Sequence, residues 1–230
     1  GKYNYEERDL YRKYIRSPRA HNTIYIEGLE YNFHQNKYES HISHYEETNE
    51  YIYTQGIIII DGDILKRNII YIDGLLIVLD CGFFTSEKTL HQNFNISNDV
   101  IVKDISFNQA TIDSNGHEIK IKQHTLDTTV EEYFGDTESI RGFVSEKFNI
   151  LIPVKQIDFS TTGSKPFMLT EINKLDNCDV ESLHFDNHQN MLKIKTTIGS
   201  YSIPIINHDK NNEVHVDNKE KTIQDNTIIT

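Results

Sequence analysis

The chain has 230 residues, with 35 acidic and 23 basic side chains, a formal charge of −12 and 37% hydrophobic residues. This balance excludes a general nucleic-acid surface, which needs a basic face for phosphate contacts. Apolar runs such as Ile57–Ile60 and Leu75–Leu79 are far too short to span a bilayer, and a chain of this size buries about 70% of its unfolded surface on folding.

In chain order, residues 1–20 read as an N-terminal arm. Tyr11, Tyr14 and Ile15 have helical spacing, which predicts a short helix. Pro18 ends it, because the residue before a proline avoids the helical region. From Thr23 the signal turns to β. Ile24 and Ile26 alternate with polar positions up to Gly28, whereas the polar stretch His34 to Glu50 is either a long loop or an edge hairpin. Tyr51–Thr54 and Ile57–Ile60 are β-branched and aromatic. Asp61-Gly62-Asp63 is a turn, and Asp73-Gly74 is a hairpin turn. Leu75–Leu79 is continuously apolar, as in a strand covered on both faces.

Further strands are predicted at Val100–Phe107, Ala110–Ile112 and Glu118–Lys122, the last two flanking the turn Asp113–Gly116. Others follow at Asn149–Val154, Gln156–Ser160, Phe167–Ile172, Ser182–Phe185, Met191–Thr196 and Thr197–Ile203. Short strands at such spacing, on the order of fifteen of them, predict an all-β fold: a large antiparallel two-sheet β-sandwich over 21–206 with a short N-terminal arm. Residues 207–230 read as a polar tail, with one further strand signal at Thr227–Ile229.

The chemistry-bearing stretch is Ser17–Ile26, where basic coil becomes strand. The arm holds Lys2, Arg8, Arg12, Lys13, Arg16 and Arg19 against Glu6, Glu7 and Asp9. A histidine, His21, beside a local basic patch points to an anionic ligand; the plain alternative is a hydrogen-bonded strand residue beside a solvated basic face. His41 and His44 share a metal only if their segment is a helical turn, since on a strand they point to opposite faces. Cys81 and Cys178 form no paired zinc motif and read as two buried thiols, the alternative being a single long-range bridge. Ser145 and Ser160 sit in no nucleophile-elbow pattern.

Tyr11-Arg12, Arg16-Ser17 and Ala20-His21-Asn22-Thr23 together resemble the start of the C-terminal β-sandwich domain of heparinase II/III-like polysaccharide lyases. Lys66-Arg67 with Ile69–Ile72, then Gly74–Asp80, then His91–Ile96, extend the resemblance over residues 3–96, with a weaker echo at Gly142–Pro153. Where the family often has a second histidine near the end of the last block, this chain has Asn95.

The resemblance implies a supersandwich-like fold and β-elimination of a uronate-containing acidic polysaccharide. His21 would neutralise the uronate or act as base, with Asn22 orienting the loop or the imidazole. Arg12, Arg16, Arg19 and Tyr14 would bind substrate, through guanidinium–oxyanion pairs and sugar stacking. It also implies a partner: an upstream α/α toroid domain that supplies a catalytic tyrosine. No helical region of the length a toroid needs is in this sequence. The chain therefore reads as the C-terminal part of a larger protein, inactive alone, and a secreted, periplasmic or cell-envelope setting follows from the resemblance only. Some family members carry a structural divalent metal in the sandwich, and Asp80 and His91 bracket a loop. Their plainer readings are a strand-end residue and a hydrogen-bonded strand residue. The alternative function is a non-catalytic carbohydrate-binding or cell-envelope interaction module.

Overall fold

The computed structural model describes residues 4–29, 38–174 and 179–206. The polar tail expected over 207–230, its strand signal and Cys178 lie outside the described residues. Helix α1, Leu10–Arg16, is followed by one 3-10 turn, Pro18–Ala20. Asp9 caps α1, its Oδ1 accepting the Arg12 N–H at 2.8 Å, which replaces a missing intrahelical partner. The helix stops at Arg16, two residues before Pro18, as the proline rule requires.

All other regular structure among the described residues is β. The chain first lays down β1 (Ile24–Ile26), β2 (Tyr38–Glu47), β3 (Ile52–Ile60), β4 (Asp63–Ile72), β5 (Leu75–Phe83) and β6 (Lys88–Ile96). There follow β7 (Ile101–Ser106), β8 (Gln109–Ser114), β9 (His117–Gln123), β10 (Thr129–Phe134), β11 (Phe143–Val144) and β12 (Ile152–Pro153). The last five are β13 (Lys155–Gly163), β14 (Phe167–Lys174), β15 (Val180–Asp186), β16 (Met191–Thr196) and β17 (Ser200–Pro204).

An eight-stranded antiparallel sheet, in the order β2-β3-β4-β5-β14-β9-β8-β7, packs against a four-stranded one, β1-β6-β13-β10. Ile24, Leu90, Phe94, Ile157 and Phe159 from the smaller sheet meet Leu65, Ile121 and Met168 from the larger. This is the expected all-β sandwich. A third layer was not anticipated: β15-β16-β17 covers the other face of the large sheet. There Phe185, Leu192, Ile194 and Ile203 pack on Ile70, Leu75, Ile77 and Leu79. Strand β5 is thus covered on both faces, which is why its first five residues, Leu75–Leu79, are continuously apolar.

Turn chemistry fixes three hairpins. Asp61-Gly62, Asp73-Gly74 and Asn115-Gly116 all have both residues at positive φ, the condition for two-residue hairpin loops. Strand β10 escaped the sequence pattern because it is an edge strand of the small sheet. Most of its positions are exposed, so no buried face imposes an alternation.

Between the large and small sheets runs a buried polar relay. Asp80 on β5 is fully buried. Arg67 on β4 grips it bidentately, Nε to Oδ1 at 2.8 Å and Nη2 to Oδ2 at 2.7 Å. Gln92 on β6 donates to Oδ2 at 2.6 Å and accepts from Thr170 Oγ1 at 2.5 Å. Asp80 is therefore mid-strand, not at the strand end expected from the sequence. Removing one partner of a buried ion pair leaves the other charge stranded. Asp80→Ala is expected to lower the unfolding free energy by about 3–5 kcal/mol, measured by chemical denaturation; a loss no larger than that of an exposed aspartate would refute this role.

Two other carboxylates set the acid limit. Burial opposes ionisation of Asp63 and Glu171. At Asp63 the bonds from Lys88 and Thr85 outweigh it, and at Glu171 those from His124 and Lys120 do, so both groups are held below their ordinary values of 3.8 and 4.5. A carboxyl that binds its proton less tightly when folded contributes stability above its unfolded pKa and loses it as pH falls through the folded one. Stability should therefore be level above about pH 5 with respect to these groups and decline below 3.8. Denaturation curves over a pH series check the sign.

Candidate functional site

The arm is held down by its own aromatic face. Tyr14, Ile15 and Ala20 form a cluster with Phe143, and Tyr11 meets the Phe143 ring edge-on at 5.4 Å. The Tyr14 hydroxyl accepts the Gly142 N–H at 3.1 Å, and burial raises the pKa of the hydroxyl. Gly142 lies at φ +71, and a Cβ there would meet Gly135 N and Val154 O at 2.9 Å. Only glycine lets the chain pass this close. Tyr14, expected at the substrate, is therefore buried where the arm packs on Gly142 and Phe143.

The arginines are likewise engaged. Arg12 binds Glu7 at 2.7 Å and the Asn4 carbonyl, and Arg16 reaches Glu7 at 3.3 Å. Arg19 Nη2 donates to Ser139 O at 3.2 Å. Its carbonyl accepts from Asn93 Nδ2 at 3.0 Å and Gln156 Nε2 at 2.6 Å, which pins the turn before His21 to the small sheet.

His21 is exposed, and its Nε2 lies 3.1 Å from the Ile15 carbonyl. A carbonyl only accepts, so Nε2 carries the proton and Nδ1 is the basic nitrogen. Asn22 is the pin. Its Oδ1 accepts from Asn95 N at 2.7 Å and Asn95 Nδ2 at 3.1 Å, and its carbonyl accepts from Arg67 Nη1 at 2.7 Å. The Asn95 departure noted in the sequence thus serves to hold Asn22.

Sequence reasoning missed a second group, on the outer face of the small sheet. Asp158 on β13, 2% exposed, receives three donors on Oδ2: Arg141 at 2.7 Å, His91 Nδ1 at 3.0 Å and Tyr25 at 3.2 Å. Tyr25 stacks on the His91 ring at 4.6 Å and 7°. Arg141 lies over the Tyr133 ring at 4.1 Å and also binds Gln156 and Asn93 at 3.0 Å each. Burial opposes the Arg141 charge, but Asp158 outweighs it and raises the pKa. Burial, then Asp158, push the Tyr25 hydroxyl far above its ordinary value. Burial and the bond to Glu131 raise Tyr133 to about 12. Both phenols are hydrogen-bond donors at neutral pH, not bases. Tyr25, His91, Tyr133 and Arg141 line a cleft of about 330 Å³ with Arg19, Glu27 and Ser139. Asp158 stands between Ile157 and Phe159 on β13, and His91 between Leu90 and Gln92 on β6, so the sequence marks neither as part of a site.

Asp80 and His91 do not fit a shared metal. Asp80 is committed to Arg67 and Gln92 between the sheets, and His91 faces Asp158 on the outer side. Among the described residues no group of three His, Cys, Asp or Glu side chains converges on a point that could hold a metal ion. His41 and His44 lie on the bulged edge strand β2, and His44 packs against Tyr53 with ring centroids 5.0 Å apart.

No known sequence family and no curated protein matches the chain. Solved structures do. The heparan sulfate lyase HepC from Pedobacter heparinus superposes with a TM-score of 0.70 at 14% identity, over 91% of this chain and 34% of that one. A crystal structure of heparinase III gives 0.65 at 14% identity, over 88% and 32%. A second heparinase III structure gives 0.65 at 11%, over 88% and 33%. The fold is that of a heparinase-like domain. The chain spans about a third of the length of these lyases.

The Tyr14 hydroxyl adds to the docking of the arm. Tyr14→Phe deprives the Gly142 N–H of its acceptor, an expected loss of about 1–2 kcal/mol. Trypsin should then cut after Lys13 and Arg16 faster than in the parent chain; unchanged cleavage would show that the hydroxyl does not hold the arm.

Proposed function

We propose that this chain is the C-terminal β-sandwich domain of a heparinase II/III-like polysaccharide lyase. The full protein cleaves a uronate-containing acidic polysaccharide by β-elimination, at a site shared between this domain and an α/α toroid upstream. The observation that carries the reading is the fold likeness, which takes in nine-tenths of this chain but only a third of HepC.

β-Elimination removes a weakly acidic proton alpha to the uronate carboxylate. Charge then builds on that carboxylate and must be met by a positioned donor or cation, while a base within hydrogen-bond reach takes the proton. His21 suits either role. Its ring is exposed, its Nε2 is held by the Ile15 carbonyl, and its Nδ1 is the basic nitrogen. Asn22 fixes the backbone on which the imidazole stands, through Asn95 and Arg67. Arg16 and Arg19, both partly exposed, would pair with uronate or sulfate groups, Arg16 by leaving Glu7. Arg12 and Tyr14 contribute by holding the arm.

The catalytic tyrosine belongs to the toroid in this reading. Tyr25 and Tyr133 support that division, because both are held protonated. The same observation favours a second reading, a carbohydrate-binding module without chemistry of its own.

The test uses the protein with its upstream region, the chain of residues 1–230, and a full-length His21→Ala variant. Each is incubated with a panel of uronate polysaccharides, and the unsaturated product is read by ultraviolet absorbance. Turnover is expected from the full-length protein only, with kcat reduced roughly 100-fold or more in His21→Ala and an unchanged circular dichroism spectrum. Turnover by residues 1–230 alone would overturn the shared site. Full activity in the variant would remove His21 from it.

A further inference from the structure

Among the described strands the two main sheets are of unequal width. The small sheet ends at β1, which lies over β4, while the large sheet continues through β3 to β2. The register shows which side chains lie beyond that end. Leu65, in the core with the small sheet, stands opposite Ile58. Further along, Arg67 stands opposite Gly56, Ile69 opposite Thr54 and Tyr71 opposite Ile52. On β2, Ile42 faces Gly56 and Tyr45 faces Thr54. Directly paired residues project to the same side of a sheet, so all of these point the same way as Leu65. Yet Ile42 is 74% exposed, Tyr45 62% and Tyr71 47%.

This face holds a groove of about 420 Å³, with Ile42, Ile57, Ile58, Leu65 and Ile69 in its lining. Gly56 lines it too, and a Cβ there would meet nothing within 4 Å. Contiguous exposed apolar side chains mark an interaction surface, and the lining says of what kind. An acidic polysaccharide needs cations and hydrogen-bonding groups, whereas these walls are aliphatic and suit the apolar side chains of a polypeptide. A second copy of this chain fits poorly. Glu39, Glu47 and Glu50 are exposed along β2 and the turn after it, and face-to-face pairing would bring like charges together. The position of the groove points to a third occupant. Thr23 and Arg67 line it, and Arg67 binds the Asn22 carbonyl at 2.7 Å, so the groove begins two residues from His21. A domain that shares a site at His21 therefore reaches this face, and the chain spans only a third of HepC, which leaves ample polypeptide to cover it.

We propose that the inner face of β2, β3 and β4 is the docking surface for the upstream region of the same protein, which lays a segment of alternating apolar residues into the groove and continues the small-sheet layer past β1. The identity of the occupant rests on the reading above of this chain as one domain of a longer protein; the demand for an apolar cover rests on the face alone.

The test is hydroxyl-radical footprinting of residues 1–230 and of the protein with its upstream region, with oxidised side chains located by mass spectrometry. Ile42, Tyr45 and Tyr71 are expected to oxidise readily in the shorter chain and about fivefold or more slowly in the longer protein, because a packed interface excludes water. If residues 1–230 do not fold alone, the comparison is made within the longer protein against Phe107 and Leu126, which are 81% and 85% exposed and lie outside the groove. Gly56→Val puts a side chain into the groove. Strands favour valine over glycine, so the shorter chain should keep its thermal midpoint or gain, while the longer protein loses midpoint and its footprint at Ile42 and Tyr71 returns. Equal oxidation of the face in both proteins would overturn the proposal. So would protection already present in residues 1–230, whether constant, growing with protein concentration as a second copy would make it, or appearing only on addition of heparan sulfate. Protection that survives Gly56→Val would place the cover away from the groove and overturn the proposal equally. Turnover is read separately. A longer protein inactive on uronate polysaccharides, with this face protected, would sink the lyase reading and leave the docking surface standing; an active one with the face bare would do the reverse.

Discussion

A buried negative charge organises this domain. Asp80 has no exposed surface, and an isolated carboxylate there would be prohibitively costly. The cost is offset only if Arg67 and Gln92 arrive together, one from the same sheet and one from the sheet opposite. The apolar residues around them tolerate sliding, whereas a bidentate ion pair does not. The relay therefore sets the register of one sheet over the other. It extends outward as well, because the guanidinium that grips Asp80 also holds the Asn22 carbonyl. The backbone beneath His21 is thus coupled to the centre of the sandwich through two side chains.

Around that junction, the residues divide by what they touch. Tyr14, Ser17 and Asn22 close hydrogen bonds within the domain. His21 presents a ring nitrogen to solvent, and Arg19 has its carbonyl tied down and its side chain at the cleft. Chemistry on this domain therefore stands on a scaffold whose polar groups are already committed, an arrangement that keeps a site rigid without a bound ligand.

The hairpins were legible because Asp-Gly and Asn-Gly pairs permit little else. β5 was legible because double coverage leaves Leu75–Leu79 without a polar position. The edge strand β10 was not, and β2 was legible only as one of two readings, a loop or an edge hairpin, since exposure on both sides erases alternation. The third layer was hidden for a different reason. The alternation in β16 reports that one face is buried, but not which sheet buries it. The same limit applied to the cleft: His91, Asn93 and Asp158 look like ordinary outward residues until Arg141, from a distant loop, closes over them. Conversely, the arm's basic cluster was conspicuous in sequence, yet Glu7 takes up two of its arginines.

The strand order carries a consequence for how the chain reaches this state. β14 lies at the middle of the large sheet, between β5 and β9, although it is made long after either. Until it emerges, β2–β5 and β7–β9 are two half-sheets, each with an open, hydrogen-bond-hungry edge. Such edges are templates for the wrong partner, and pairings this distant in sequence form slowly. Nascent chains that stop short of residue 174 therefore present two sticky ribbons at once, so the vulnerable interval in the life of this domain is its synthesis, before β14 fills the gap.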